Sequence, residues 1–245
     1  MKRALIIPDC HIPFVHKKAY SLMLKVAKDF KPDEIVILGD YLDFYSVSSH
    51  KKDPTLPKML KDEIDMAKVY LDEIDKLFPD AYKVFLEGNH EYRLSSYLQD
   101  KAPELFGLVS VKALLDINRR RKWRYIPYSP QQKYNVLGSK LFSKHTPIGS
   151  SAKTTVARGV ASIVYGHTHR IEQNYIVGID GSPHVAINSG WLGDARLKVF
   201  EFVKNHHEWQ LGFTLAYVVK KLFYHQIVPI LPDISCVFHG KRYTI

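Results

Sequence analysis

Cysteine is nearly absent from the chain: Cys10 and Cys236 are the only two in 245 residues. Two thiols so far apart build no disulfide framework, and without a Cys-x-x-Cys pair there is no zinc ribbon. A reducing cytoplasm fits this usage. Long apolar runs are missing as well. The N-terminal run Ala4 to Ile7 stops at Pro8-Asp9, short of a signal-peptide core. The stretch Leu211 to Val219 is interrupted by Gly212 and Thr214 and cannot span a bilayer, so no membrane partner is expected. Internal repeats and low-complexity segments are also lacking. Acidic residues are the minority charge, with 25 Asp and Glu against 35 Lys and Arg, a formal net charge of +10. Such an excess favours polyanionic partners: nucleic acid, an acidic surface or phosphorylated small molecules.

Aliphatic and aromatic residues run the whole length, and 245 residues suffice for one sizeable core. The expectation is a single domain over 1–245, with a cap inserted around 94–135. Ala4 to Ile7 reads as a buried strand. Ala19, Leu22, Val26 and Phe30 follow at the spacing of one helix face. Ile35 to Leu38 is a second buried strand, closed by Gly39-Asp40. After a polar loop carrying Pro54 and Pro57, Leu60, Ile64, Ala67, Leu71, Ile74 and Phe78 form an apolar helical stripe. Val84 to Leu86 is a third strand, closed by Glu87-Gly88-Asn89. Alternating strands and helices imply right-handed crossovers and a largely parallel sheet, with functional groups beyond the strand carboxyl ends.

The second half is richer in strands. Lys140 to Phe142 and Ile163 to Tyr165 are short runs, and Tyr175 to Ile179 and His184 to Ile187 flank an Asp180-Gly181 hairpin turn. Further strands are expected at Lys198 to Val203, Phe213 to Val219 and Phe223 to Val228. The aromatic tail, with Trp209, Phe213, Tyr217, Phe223 and Tyr224, reads as the core of a second sheet.

Polar motifs fall at the strand ends: Asp9-Cys10-His11, then Gly39-Asp40 with Asp43, then Gly88-Asn89-His90-Glu91, then His145, then Gly166-His167-Thr168-His169. Each alone is weak. In the last, extended alternation would put both imidazoles on one side. Alternation also turns Cys10 away from Asp9 and His11, as a packing residue. Together the clusters supply the hard oxygen and imidazole donors that two divalent cations require. A water shared by two cations becomes a nucleophile near neutral pH, and a nearby His can protonate the leaving oxygen.

These motifs, in this order, resemble the calcineurin-like metallophosphoesterase superfamily, whose pattern is Asp-x-His, Gly-Asp-x-x-Asp, Gly-Asn-His-Asp/Glu, His and Gly-His-x-His. The resemblance spans residues 9 to 169 and implies an α/β fold: a four-layer α/β/β/α sandwich of two mixed sheets with a dinuclear site at the strand C-terminal edge. It implies that Asp9, His11 and His169 hold one metal and Asn89, His145 and His167 the other, with Asp40 bridging. His90 would be the general acid, oriented by Asp43. The cofactor would be two divalent ions, manganese first, with iron, zinc or nickel as alternatives. The compact, basic form resembles that of phage-encoded members. Asp43-Phe44-Tyr45 departs from the Asp-Arg-Gly of the phosphoprotein phosphatase branch, and Thr146 replaces the usual glycine after His145.

Arg119-Arg120-Arg121-Lys122-Trp123-Arg124 is the nucleic-acid signal: guanidinium groups neutralise phosphates and interleaved aromatics stack on bases. Its bland reading is a solvated face of a cap helix. Arg93 and Arg170 directly follow site motifs and are candidate substrate contacts. Asn188 reads as a loop residue, and His206-His207 as surface. The expected activity is metal-dependent phosphoester hydrolysis, as a phosphodiesterase or nuclease on DNA or RNA. The rivals are a phosphomonoesterase acting on a nucleotide, small ester or phosphoprotein, and a non-catalytic metal-bound interaction module.

Overall fold

The computed structural model describes residues 1–49, 59–201 and 203–245; the expected loop with Pro54 and Pro57 lies outside them. In chain order the elements are β1 (Lys2–Ile7), α1 (Lys17–Phe30), β2 (Glu34–Ile37), α2 (Leu60–Leu77), β3 (Tyr82–Leu86), α3 (Asn89–Lys101), α4 (Val111–Leu114) and β4 (Trp123–Ile126). Then follow β5 (Tyr134–Asn135), β6 (Leu141–Ser143), α5 (Ala152–Gly159), β7 (Ser162–Tyr165), β8 (Ile171–Val177) and β9 (Pro183–Ser189). The chain closes with β10 (Gly212–Val219), β11 (Leu222–Pro229), β12 (Ser235–Phe238) and β13 (Lys241–Thr244).

Two large mixed sheets face each other. One has the order β11-β10-β1-β2-β3-β4 and the other β5-β6-β7-β9-β8. Strand alternation accounts for the layering. Leu5, Ile7, Ile35, Ile37 and Phe85 turn to one side and pack with Leu22, Val26, Ala67, Leu71 and Leu94 of α1, α2 and α3. Their neighbours Ala4, Ile6, Val36, Leu38, Val84 and Leu86 turn to the other side and meet Leu141, Val164, Val185 and Ile187 of the second sheet. On that sheet's outer face, Ile163, Tyr165 and Ala186 are covered by Ala152 and Val156 of α5. The result is helices, sheet, sheet, helix, the expected four-layer sandwich. Strands β1 to β3 are apolar on both faces because both are covered.

Three expectations are corrected. The tail strands β10 and β11 do not build the second sheet; β10 pairs antiparallel with β1 and extends the first. The free edge of β1 needed a partner, and the alternation of Phe213 and Leu215 with Ala216 suits a strand covered on both faces. The described part of the expected strand Lys198 to Val203 is not a strand: residues Lys198–Phe200 form a 3-10 turn that drops Phe200 among Phe14, Tyr45 and Trp191. The basic run at 119–124 is not on a cap helix; it ends a 3-10 turn at Arg119 and enters β4, which pairs in parallel with β3.

Glu63 of α2 ties the helix layer to the loop after β2. It is fully buried, and its carboxylate oxygens each accept a backbone N–H, from Tyr45 and Ser46, at 3.1 Å. Burial pushes its carboxyl up from 4.5 to about 7. A carboxyl with a raised folded-state pKa keeps its proton longer folded than unfolded, so its contribution to stability falls as pH rises across that interval. Glu63→Gln should therefore flatten the decline in urea stability between about pH 4.5 and 7 relative to wild type. Parallel pH profiles for the two proteins would contradict this.

Candidate metal centre

The C-terminal ends of β1, β2, β3, β6 and β7 open on one edge of the sandwich, and each is followed by one polar motif. The polypeptide turns sharply there. His11, Asp40, His167 and His169 all have left-handed backbones, with φ of 49°, 47°, 71° and 58°. The two imidazoles of the last motif thus converge through strained loop residues, not through extended alternation as the sequence suggested. Two glycines give the carboxylates room. A Cβ on Gly88 would lie 2.2 Å from Asp40 Oδ1, and one on Gly166 would lie 2.0 Å from Asp9 Oδ1.

Three overlapping groups of donors form: Asp9, His11 and His169; His11, Asp40 and His90; and Asp40, His145 and His167. Asp40 belongs to two of them. His11 Nδ1 donates to Asp43 Oδ2 at 2.9 Å, leaving Nε2 to face His169 Nε2 at 3.0 Å. His169 Nε2 in turn lies 3.2 Å from Asp9 Oδ2. On the other side, His145 Nδ1 donates to the Leu38 carbonyl at 3.0 Å, and Nε2 faces Asn89 Oδ1 at 2.8 Å. The same Asn89 oxygen lies 2.7 Å from His167 Nδ1. These nitrogens and oxygens converge on two places, where a positive centre would be met by several donor atoms at once. A proton serves one pair at a time, whereas a divalent cation serves a whole set. Asp9 Oδ1 is buried without a hydrogen-bond partner among the described residues, as a ligand oxygen would be. The donor set therefore fits two divalent cations.

The local field agrees. Burial alone would raise the Asp40 carboxyl, but the charges of His145, His90 and His11 outweigh it and hold it well below the usual range. Asp43 behaves alike: burial raises it, while His90 and His11 pull it far down. Conversely, burial would lower His145, yet Asp40 and Asp9 lift it to about 9. His90 is also raised, its burial outweighed by Asp40 and Asp43. This pocket attracts positive charge.

Asp43 reaches both His11 and His90. His90 Nδ1 lies 3.1 Å from the Asp43 carbonyl oxygen and 3.2 Å from its Oδ2. Arg93 also enters the centre: its Nη1 donates to the Asp43 carbonyl at 2.9 Å, and Nη2 meets His90 Nε2 at 3.0 Å. Arg170 stands aside, paired with Glu172 and Glu208. Arg119, Arg120 and Arg121 are not brought to the centre. Trp123 pairs with Lys83 near the start of β3, which puts the run at the opposite end of the strand from Asn89. Arg120 is tied to Asp72 and Asp75. Asn188 is buried and donates to Thr168 Oγ1, bracing the residue between the two histidines.

Sequence reading missed the supports. Glu91 accepts backbone N–H bonds from Asp40, Leu42 and Gly88, each at 2.8 Å, so one buried carboxylate joins the second and third motifs. Its place three residues after Gly88 is a capping-box spacing, a signal that was available. Gln132 accepts from the His145 N–H at 3.0 Å and donates to the Glu87 carbonyl at 2.7 Å. Trp191 stacks on His169 with centroids 4.8 Å apart, and Trp209 meets the same ring edge-on at 4.5 Å. Neither Gln132 nor the tryptophans carry a local motif.

Among the described residues, no helix is long and apolar enough to cross a membrane. The chain is similar along 94% of its length to the Gene 54 proteins of Mycobacterium phages L5 and D29, at 25% identity over 247 residues with 94% of each relative covered. Among solved structures, it is similar to Vps29 complexed with Zn2+ from Entamoeba histolytica, at 12% identity, TM-score 0.47, and coverage of 98% of this chain and 97% of that one. It is also similar to Yfce, a phosphoesterase from E. coli, at 14% identity, TM-score 0.42, and coverage of 96% and 97%. The sequence model of the calcineurin-like phosphoesterases matches residues 2–171, which contain every strand-end motif described above. The chain belongs to that family, the metal-dependent hydrolases of phosphate esters.

Proposed function

We propose that the chain is a manganese-dependent phosphodiesterase acting on nucleic acid. Asp9, His11 and His169 would hold one cation, Asn89, His145 and His167 the second, and Asp40 would serve both. Mixed carboxylate, amide and imidazole donors suit manganese, iron or zinc, and manganese is the ion taken first. When bound, such a pair acidifies a water and offsets charge on phosphate oxygens.

The rest falls to the chain. The Asp43 carboxylate and carbonyl together hold the Nδ1 side of His90, so Nε2 points into the centre, 3.8 Å from Asp40 Oδ2. A proton on Nε2 is the one given to the leaving oxygen. Arg93 Nη2 lies 3.0 Å from that nitrogen. Once His90 carries its proton, both groups are donors, and a phosphate oxygen arriving between them gives each an acceptor.

His169 needs a separate account. Its Nδ1 is buried without a hydrogen-bond partner among the described residues, unlike His11 and His145, whose second nitrogens are anchored. The packing of Trp191 and Trp209 takes the place of that anchor, making both tryptophans positioning residues.

The observation that carries the nucleic-acid assignment is an aromatic shelf beside the centre. Tyr92 and Tyr128 lie 5.4 Å apart, Tyr128 is 6.3 Å from the His145 ring, and Tyr92 is 38% exposed. A base flanking the scissile phosphate finds a π-face there, next to Arg93. The overall charge of +10 supports the same substrate class.

The first experiment compares the manganese-loaded protein on a chromogenic phosphodiester, the matching monoester, and single-stranded and duplex DNA. Diester and single-strand cleavage are expected, and Tyr92→Ala should raise KM for DNA by about tenfold while leaving the chromogenic diester unchanged. Turnover of the monoester alone would overturn the assignment. His90→Ala should cut kcat by about 10²–10⁴ with two bound metals still found by elemental analysis. Loss of metal along with activity would remove its role as proton donor. Trp191→Leu should weaken one of two Mn2+ affinities, measured by calorimetry, by about 10–100-fold and spare the other. Two unaltered affinities would leave Trp191 a packing residue only.

A further inference from the structure

The space between the sheets is filled by side chains around its middle, but it opens at the end opposite the metal centre into a cleft of about 750 Å³. Its walls come from strand beginnings. Ser162 starts β7, Val185 lies near the start of β9, and Phe223 follows the β10–β11 turn. The strand-end motifs at Asn89, His145 and His167 lie at the far edge of the same sheets.

Two features of the lining point to a ligand. The first is aromatic surface facing across the gap. Tyr175 of β8 stacks on His225 of β11 at 6.1 Å and 29°, so the two sheets touch through these rings, yet Tyr175 remains 58% exposed. Phe223 shares the His225 face of β11 and is only partly buried. The second is charge. Lys140 N donates to the Lys221 carbonyl at 3.1 Å, so both lysine stems leave the chain from one corner of the cleft. Both are exposed, neither has a carboxylate partner among the described residues, and the lining contains no Asp or Glu. An unpaired cationic corner beside partly exposed rings is complementary to a molecule with a planar body and an anionic end. The volume lies within the range of about 300–1,000 Å³ found for small-ligand sites.

The geometry points to this cleft as a second site, which takes a nucleotide moiety: the base against Tyr175 and Phe223, the phosphate on Lys140 and Lys221. Base stacking on aromatic side chains is tolerant of base identity, and paired ammonium groups match a phosphate. The moiety comes either from a free mononucleotide or from one end of a single strand. This assignment does not rest on the nuclease reading, since no residue of the cleft belongs to the metal centre.

Photolabelling the metal-loaded full chain with an azido-substituted adenosine monophosphate, followed by peptide mapping, tests it. Label is expected on peptides containing Tyr175 or Phe223. The double variant Lys140→Ala, Lys221→Ala should reduce that label by about tenfold, the scale of losing two charge-assisted contacts. Turnover of the chromogenic ester should stay unchanged in the variant, which shows that the fold and the metal centre are intact. Stronger protection by a short oligothymidylate than by adenosine monophosphate assigns the site to a strand, and the reverse assigns it to free nucleotide. Label confined to peptides around His90 and His167, or undiminished cleft label in the double variant, would overturn the proposal. Failure of DNA cleavage would leave it standing, because labelling is read independently of hydrolysis.

Discussion

Asp9, Asp40, Asp43 and Glu91, distant in sequence, are buried together at the edge of the sandwich, each at most 4% exposed. Carboxylates removed from water must be compensated or they take up protons. The compensation differs from one residue to the next. Asp40 and Asp43 are surrounded by imidazoles and stay ionised. Glu91 faces backbone N–H groups and the Asp40 charge, and burial pushes it up to about 8. One buried acid is thus a source of negative field and its neighbour a structural knot. The placing of Asn89, His145 and His167 around the first kind depends on the second, because Glu91 fixes Gly88 and Asp40 against each other.

The second constraint is conformational. Left-handed backbone at His11, Asp40, His167 and His169 costs roughly 1–2 kcal/mol per residue. That strain is sustainable only on a base that does not yield. Strands β1 and β2 supply it for His11 and Asp40, and β7 for His167 and His169: each is paired in parallel with at least one neighbour and covered on both faces by helix and opposing sheet. The sharp turns follow at once after the strands, where hydrogen-bonded chain still holds one side of each loop. Donor atoms from residues as far apart as Asp9 and His169 then meet within hydrogen-bonding distance.

How much of this could be read in advance follows from which signals are local. Ala4 to Ile7, Ile35 to Leu38 and Val84 to Leu86 are short apolar runs ended by polar residues, so strands and strand ends were legible together. The donor set was legible because it sits on those ends. The partner of β10 was not, since alternating Phe213, Leu215 and Tyr217 suit either sheet and only the open edge of β1 decides. Nor was the turn at Lys198–Phe200, whose apolar residues serve an aromatic cluster of distant members. The basic run at Arg119 to Arg121 shows the limit most plainly. Composition makes it the densest cationic patch, but its distance from the centre is a property of strand direction, which composition does not contain.

That distance has a physical consequence. Cations crowded at the metal edge would compete for Asp9 and Asp40 and weaken the field that draws divalent ions. Among the described residues, Arg93 is a cation that does enter, and it is held by Asp43, so its charge is partly offset before it reaches the centre. The patch that begins β4 and the lysines of the β10–β11 turn sit at the other end of strands such as the five-residue β3. Five residues of strand span about 17 Å, beyond the screening length of about 8–10 Å at ordinary ionic strength. A chain of strongly positive net charge can thus attract polyanions over much of its surface while keeping one edge negative enough to hold metal ions. The sandwich makes the separation possible because its parallel strands give the molecule two chemically distinct ends.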